Sequence, residues 1–273
     1  MTDQLTDAIL DSLFVGIIKG GPGSGYHEHP GRPGHVGGSL PSGSPRERLL
    51  TKPIPMGFSD EGIMEFNEEA ARLDLEQFQR QALMNGANDF ARSVEKIAGH
   101  PMDWTLGARA EGGGLRKHIL AFDITGTDSA GERATMQLRL KPENRVLELA
   151  YTRASTGLRQ HGLATSILET AKRTALNAGM DSVHLLAVSN QTNLAGAYVW
   201  AKQGVKFADD YERNRVMERY MRFLHNEGHG KTTLDHRTAN PIDIANDVID
   251  GKQTGRDFLV NTNIDYEVHI PVR

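Results

Sequence analysis

Apolar positions recur at helical spacing from Ser59 onward. Ile63, Phe66, Ala70 and Leu73 form one stripe, and Phe90, Ala91, Val94 and Ile97 a second. Asn85-Gly86 is a turn-forming pair, so the pattern predicts two helices that part there, and Gly99-His100-Pro101 closes the region. The period then shortens to two. His118–Thr125, Ala134–Leu140 and Val146–Tyr151 alternate as strands, separated by the turns Asp128-Ser129-Ala130-Gly131 and Pro142-Glu143-Asn144, which predicts an antiparallel meander. A helix is predicted from Gly162 to Ala178, with Leu163, Ile167, Leu168, Ala171, Ala175 and Leu176 turned inward and Gly179 at its C-terminal cap. A compact apolar strand, Ser182–Val188, follows. Its His184 reads as a packed side chain. Further on come a helix over Asn193–Gln203, a short strand at Val205–Phe207, a helix over Asp210–His225 and a last strand over Tyr266–Val272. This order predicts an α+β fold, with a mixed sheet and helical additions at both ends.

Composition divides the chain further. Between Gly20 and Pro45 lie nine Gly and five Pro in 26 residues. Ordering such a stretch costs backbone entropy that little apolar surface offsets, so it is predicted to be a flexible arm. Before it, Leu5, Ile9, Leu13 and Phe14 have the spacing of a short amphipathic helix. The expected organisation is an arm over 1–50, a helical segment over 51–103, a core over 104–207 and a C-terminal helix and strand over 208–273. The 273 residues carry a formal charge of −4, which speaks against a global electrostatic grip on nucleic acid and leaves a local basic face open. The chain has no cysteine, so disulfides, thiolate metal sites and a cysteine nucleophile are excluded. No apolar run is long enough for a membrane span.

The chemistry concentrates between Leu147 and Leu168. A strand ends, a loop follows, and Arg159-Gln160-His161-Gly162-Leu163-Ala164 opens a helix. Free backbone N–H groups at a helix start attract anions. Gly162 lets the backbone approach a phosphate, Ala164 keeps the next turn slim, and Arg159 adds a charged contact.

These residues resemble the pyrophosphate loop of the GNAT N-acetyltransferase superfamily, which carries Arg/Gln-x-x-Gly-x-Gly/Ala at this junction. Arg159, Gly162 and Ala164 match it, over a stretch of resemblance from about Thr105 to Phe207. The resemblance implies an antiparallel meander, the loop, a helix, a fifth strand, a helix and a closing strand pair. It also implies acetyl-CoA as cofactor and an amine as acceptor. The cofactor would be held by residues 159–164 and by Leu149 and Tyr151 of the preceding strand, whose amides polarise the thioester carbonyl. Asn193 would lie near the pantetheine arm. Glu148 falls where some members carry a glutamate base. Tyr198 is the tyrosine nearest the usual leaving-group acid, but the position four before Gly204 is Trp200, so the register departs from the superfamily's. A second departure is the charged helical stretch after Phe207, where the superfamily runs two adjacent strands.

The arm, GGPGSGYHEHPGRPGHVGGS, resembles segments of tailed-phage head-associated proteins. That implies phage origin, contact with capsid or portal proteins, and residence in the virion or the infected host's cytoplasm. Two functions from different classes are therefore expected: an acetyl-CoA-dependent N-acetyltransferase, or a non-catalytic head-associated protein on the same scaffold. Gly228-His229-Gly230-Lys231-Thr232 does not complete a P-loop, because His225 stands at its first glycine.

Overall fold

The computed structural model describes residues 57–111, 119–155, 158, 162–190 and 194–272. Two helices come first, α1 (Asp60–Arg72) and α2 (Gln77–Ala98). Four strands follow: β1 (Asp103–Glu111), β2 (Ile119–Thr127), β3 (Arg133–Lys141) and β4 (Val146–Ala154). Next are α3 (Leu163–Asn177), β5 (Ser182–Asn190), the two-residue β6 (Leu194–Ala195), α4 (Gly196–Lys202) and β7 (Lys206–Phe207). The chain closes through α5 (Asp210–Asn226), α6 (Pro241–Ala245), α7 (Thr254–Asn261) and β8 (Asp265–Pro271). The fold is mixed α+β, with seven strands in the order β1-β2-β3-β4-β5-β8-β7 and β6 paired to the end of β5.

Ser59 caps α1 by accepting from the Gly62 amide, and Gly99 ends α2 in the left-handed conformation that favours glycine. The predicted break at Asn85-Gly86 does not occur. The helices part at Leu73–Glu76 instead, and α2 runs straight through Gly86. Tertiary packing is the reason. Gly86 lies against α3, where a Cβ would meet the Thr174 hydroxyl at 2.2 Å, so the glycine permits close helix crossing rather than a turn. The meander has four strands rather than three, because β1 precedes the predicted set. Its Trp104, Leu106 and Ala108 face inward, and Gly126 lies under the Trp104 ring. Leu176, expected inside, is exposed on the outer side of α3.

The sheet register explains which residues are core. Ala108, Phe122, Leu138, Leu149, Leu185, Val268 and Phe207 form one row straight across the seven strands, and all are buried. One residue along each strand reverses the face. The adjoining row is Arg109, Ala121, Arg139, Glu148, His184, His269 and Lys206. One face thus carries the apolar core, with α2 packed along α3. The other is polar and only partly covered. β8, from the C-terminal segment, lies between β5 and β7. Tyr266 anchors it, donating its hydroxyl to the Ala197 carbonyl at the start of α4.

Candidate active site

The strand before the loop changes partners midway. β4 pairs in parallel with β5 from Val146–Ser182 to Leu149–Leu185, and there the pairing stops. At the same point the β3 register jumps from Leu138–Leu149 to Gln137–Tyr151, leaving Ala150 as an extra residue on β4. A bulge of this kind bends and twists the strand that carries it. β4 then continues to Ala154 against β3, while β5 continues to Asn190 against β8 and β6. Beyond Leu149 and Leu185 the facing edges of β4 and β5 share no ladder among the described residues. Backbone N–H and C=O groups along such a cleft require partners. Water supplies them, or an extended chain that carries its own amides.

On the open face the cleft is flanked by Tyr151 of β4, half-buried, and Leu186 of β5. On the covered side, Leu158 and Leu163 are buried near the start of α3. Gly162 caps that helix with φ 79°, and among the described residues nothing lies within 4 Å of where its Cβ would stand. The α3 N-terminus carries its partial positive charge at this end of the cleft. Ala164 is partly buried against the core.

Glu148 lies on the open face, not in the cleft. One carboxylate oxygen is 3.4 Å from Arg139 Nη1, and the other is ion-paired with Lys141 Nζ. Arg139 also pairs with Glu111 at 3.1 Å, and Arg109 links Glu111 to Asp123. Glu148 is thus one member of a charge ladder across β1–β4. Its parallel neighbour His184 faces His269 with ring centroids 4.6 Å apart. His184 is half-buried on this face rather than packed in the core. Burial pushes it down to about 4, with positive charge at His269 and Lys141 adding to the effect and Glu148 opposing it.

Tyr198 is buried in α4, and Trp200 is fully enclosed. The helix starts at Gly196, not at Asn193. Its early amide, that of Ala197, is capped across the chain by the buried Ser189 hydroxyl at 3.1 Å, a contact that spacing along the sequence does not reveal. Arg159, Gln160, His161 and Asn193 lie outside the described residues, as does the whole arm over 1–50 with its expected capsid or portal contacts. Among the described residues no group of three or more His, Cys, Asp or Glu is arranged to hold a metal, and no helix is long and apolar enough to cross a membrane.

Two features escaped the sequence reading. The bulge at Ala150 has a faint signal, since Leu149-Ala150 is an apolar pair that breaks the alternation of its strand. Glu267 alternates outward between buried Tyr266 and Val268 on β8, directly opposite Leu186 at the cleft. Only the pairing of β8 with β5 gives that position meaning. No protein-family model matches the chain, and neither the curated proteins nor the solved structures contain a match.

Proposed function

We propose that this chain is an acetyl-CoA-dependent N-acetyltransferase of the GNAT kind, acting on an amine. One observation carries the reading: β4 leaves β5 immediately beyond Leu149–Leu185, with a bulge at the point of departure and a glycine-capped helix opening after it. An extended, amide-bearing chain such as the pantetheine arm suits unpaired strand edges by the same bonding that adds a strand to a sheet. A pyrophosphate suits the start of α3, with Gly162 offering close approach. Leu149, Ala150 and Tyr151 supply the backbone that borders the thioester end. The bound cofactor supplies an activated acetyl group, and the protein's part is to hold, orient and deprotonate. Through α4 the element order supports the same reading, a meander, a helix, a parallel fifth strand and a helix, and β7 and β8 make a closing pair although α5, α6 and α7 separate them along the chain.

The alternative, a non-catalytic head-associated phage protein on this scaffold, is favoured by one observation. Both oxygens of Glu148, the expected base, are engaged by Arg139 and Lys141. Calorimetric titration with acetyl-CoA separates the readings at the first step. The variants Gly162→Ala and Gly162→Glu share the backbone strain of a side chain at positive φ, and only the second adds bulk and negative charge beside the phosphates. Binding by wild type and Gly162→Ala, lost in Gly162→Glu, supports the cofactor site. Wild-type protein that does not bind acetyl-CoA overturns the enzyme reading.

A further inference from the structure

We propose that the acceptor is an alkyl amine, cationic in solution, that enters the cleft from the open face of the sheet, and that Glu267 takes its proton. This rests on the cofactor reading above. The argument begins with register. Leu186 is the first β5 residue past the last β4–β5 pair, and Glu267 is its direct partner on β8. Cross-strand partners point to the same face about 5 Å apart. Glu267 therefore stands one strand from the opening of the cleft, on the face that the helices of the core leave accessible, with Tyr151 on the far side of the gap.

The second step is a comparison of carboxylates. Glu148, on the same face, is held by two cations. Glu267 makes no ion pair among the described residues. Its own amide donates to Glu212 of α5 at 3.2 Å, which brings a second carboxylate close. Glu267 is exposed on the sheet, and the partial loss of hydration beside α5 raises its carboxyl above the usual range. Glu212 and Asp209 of α5 and Glu148 of β4 add to that rise, while Arg215 of α5 opposes it. A carboxylate with Glu212 beside it and no ion pair of its own, although Arg215 pairs with Glu212 and with Asp265 nearby, attracts a cation and gains basicity from its acidic neighbours. An alkyl ammonium has the matching charge. An arylamine, neutral at pH 7, does not.

The transfer then balances. Glu267 accepts one proton of the ammonium, and the freed nitrogen lone pair forms the new C–N bond at the thioester carbonyl carbon. The C–S bond breaks with its electron pair going to sulfur, and the nitrogen's second proton goes to that sulfur to give the free thiol of CoA. Glu267 returns its proton to solvent.

The test uses the full chain and CoA without an acetyl group, which forms a complex that cannot react. Calorimetry first measures CoA binding to wild type, Glu267→Gln and Glu148→Gln. Spermidine, a lysine-containing pentapeptide and the arylamine aniline are then titrated into each complex. The expected result is equal CoA affinity in all three proteins. One of the alkyl amines binds the wild-type complex, aniline does not, and Glu267→Gln weakens the amine at least 10-fold while Glu148→Gln weakens it less. With that amine and acetyl-CoA, Glu267→Gln is expected to lose about 10²-fold or more in kcat and the acidic limb of its pH profile. Free CoA thiol is read directly, because the chain has no cysteine. Absence of CoA binding overturns the cofactor reading and this proposal with it. CoA binding with no alkyl amine bound, or with amine binding or turnover unchanged in Glu267→Gln, overturns this proposal alone.

Discussion

Gly86 of α2 crosses Thr174 of α3 so closely that a methyl group at position 86 would sit 2.2 Å from the threonine hydroxyl and 3.1 Å from its methyl. Both residues are buried, so neither can turn aside. Gly86→Ala should gain up to about 1 kcal/mol of helix propensity and lose more to overpacking. Overpacking costs roughly 1–3 kcal/mol, so the expected net loss is up to about 2 kcal/mol, read as a lower urea midpoint. Adding Thr174→Ala should recover most of it, because the clashing atoms are gone. A double variant no more stable than Gly86→Ala would place the cost elsewhere.

Stability should depend on His184 in a defined pH window. Its folded value of about 4 lies below the usual 6.5, so between those values the unfolded chain binds the extra proton. The contribution is complete above pH 6.5, falls as pH drops toward 4 and levels off below. The difference is roughly 2–3 kcal/mol from one group. Chemical denaturation of wild type and His184→Gln at pH 4.5 and 7.5 measures it. The variant should show a shallower loss on acidification, and parallel curves would rule the assignment out.

The C-terminal helices are tied by one buried carboxylate. Asp247 accepts from the Tyr220 hydroxyl at 2.8 Å and from the Thr232 hydroxyl, while Thr254 lies beside both. Tyr220→Phe removes one donor from a buried charge and should cost about 1–3 kcal/mol. Asp247→Ala should cost at least as much. Hydrogen exchange should show the loss concentrated in α5, α6 and α7 if these contacts lock that region together.

Gly255 gives a sharper test of the same packing. A Cβ there would lie 1.6 Å from the Ile244 carbonyl oxygen, closer than any atoms approach without moving backbone. Gly255→Ala should therefore cost more than the roughly 1–3 kcal/mol of ordinary overpacking and lower the thermal midpoint by several degrees or more. An unchanged midpoint would show that α6 and α7 do not pack this tightly.

Much of the fold could be read along the chain because its signals are local. Turns at Asp128–Gly131 and Pro142–Asn144 and alternation over Ala134–Leu140 rest on neighbours a few residues apart. So does the start of α3 behind Gly162. The failures are non-local. Asn85-Gly86 has turn chemistry, but contact with a helix 88 residues later keeps it helical (Thr174 against Gly86). Leu176 has the right residue type for a core and the wrong side of its helix. β1 was missed because Asp103–Glu111 has Thr105 and Gly107 between its inward Trp104, Leu106 and Ala108, with charges at Asp103, Arg109 and Glu111 around them.

The candidate site divides in the same way. By itself the sequence determined most of the order of elements from β2 to α5 and the residues of the loop, since each is a stretch of adjacent positions. Where β4 parts from β5, what holds Glu148 and what stands opposite Leu186 were decided only in three dimensions. Those depend on strands that meet across the sheet, β8 arriving beside β5 from 80 residues beyond it. A side chain's neighbours on a sheet are set by register between strands, and register is a property of the folded chain.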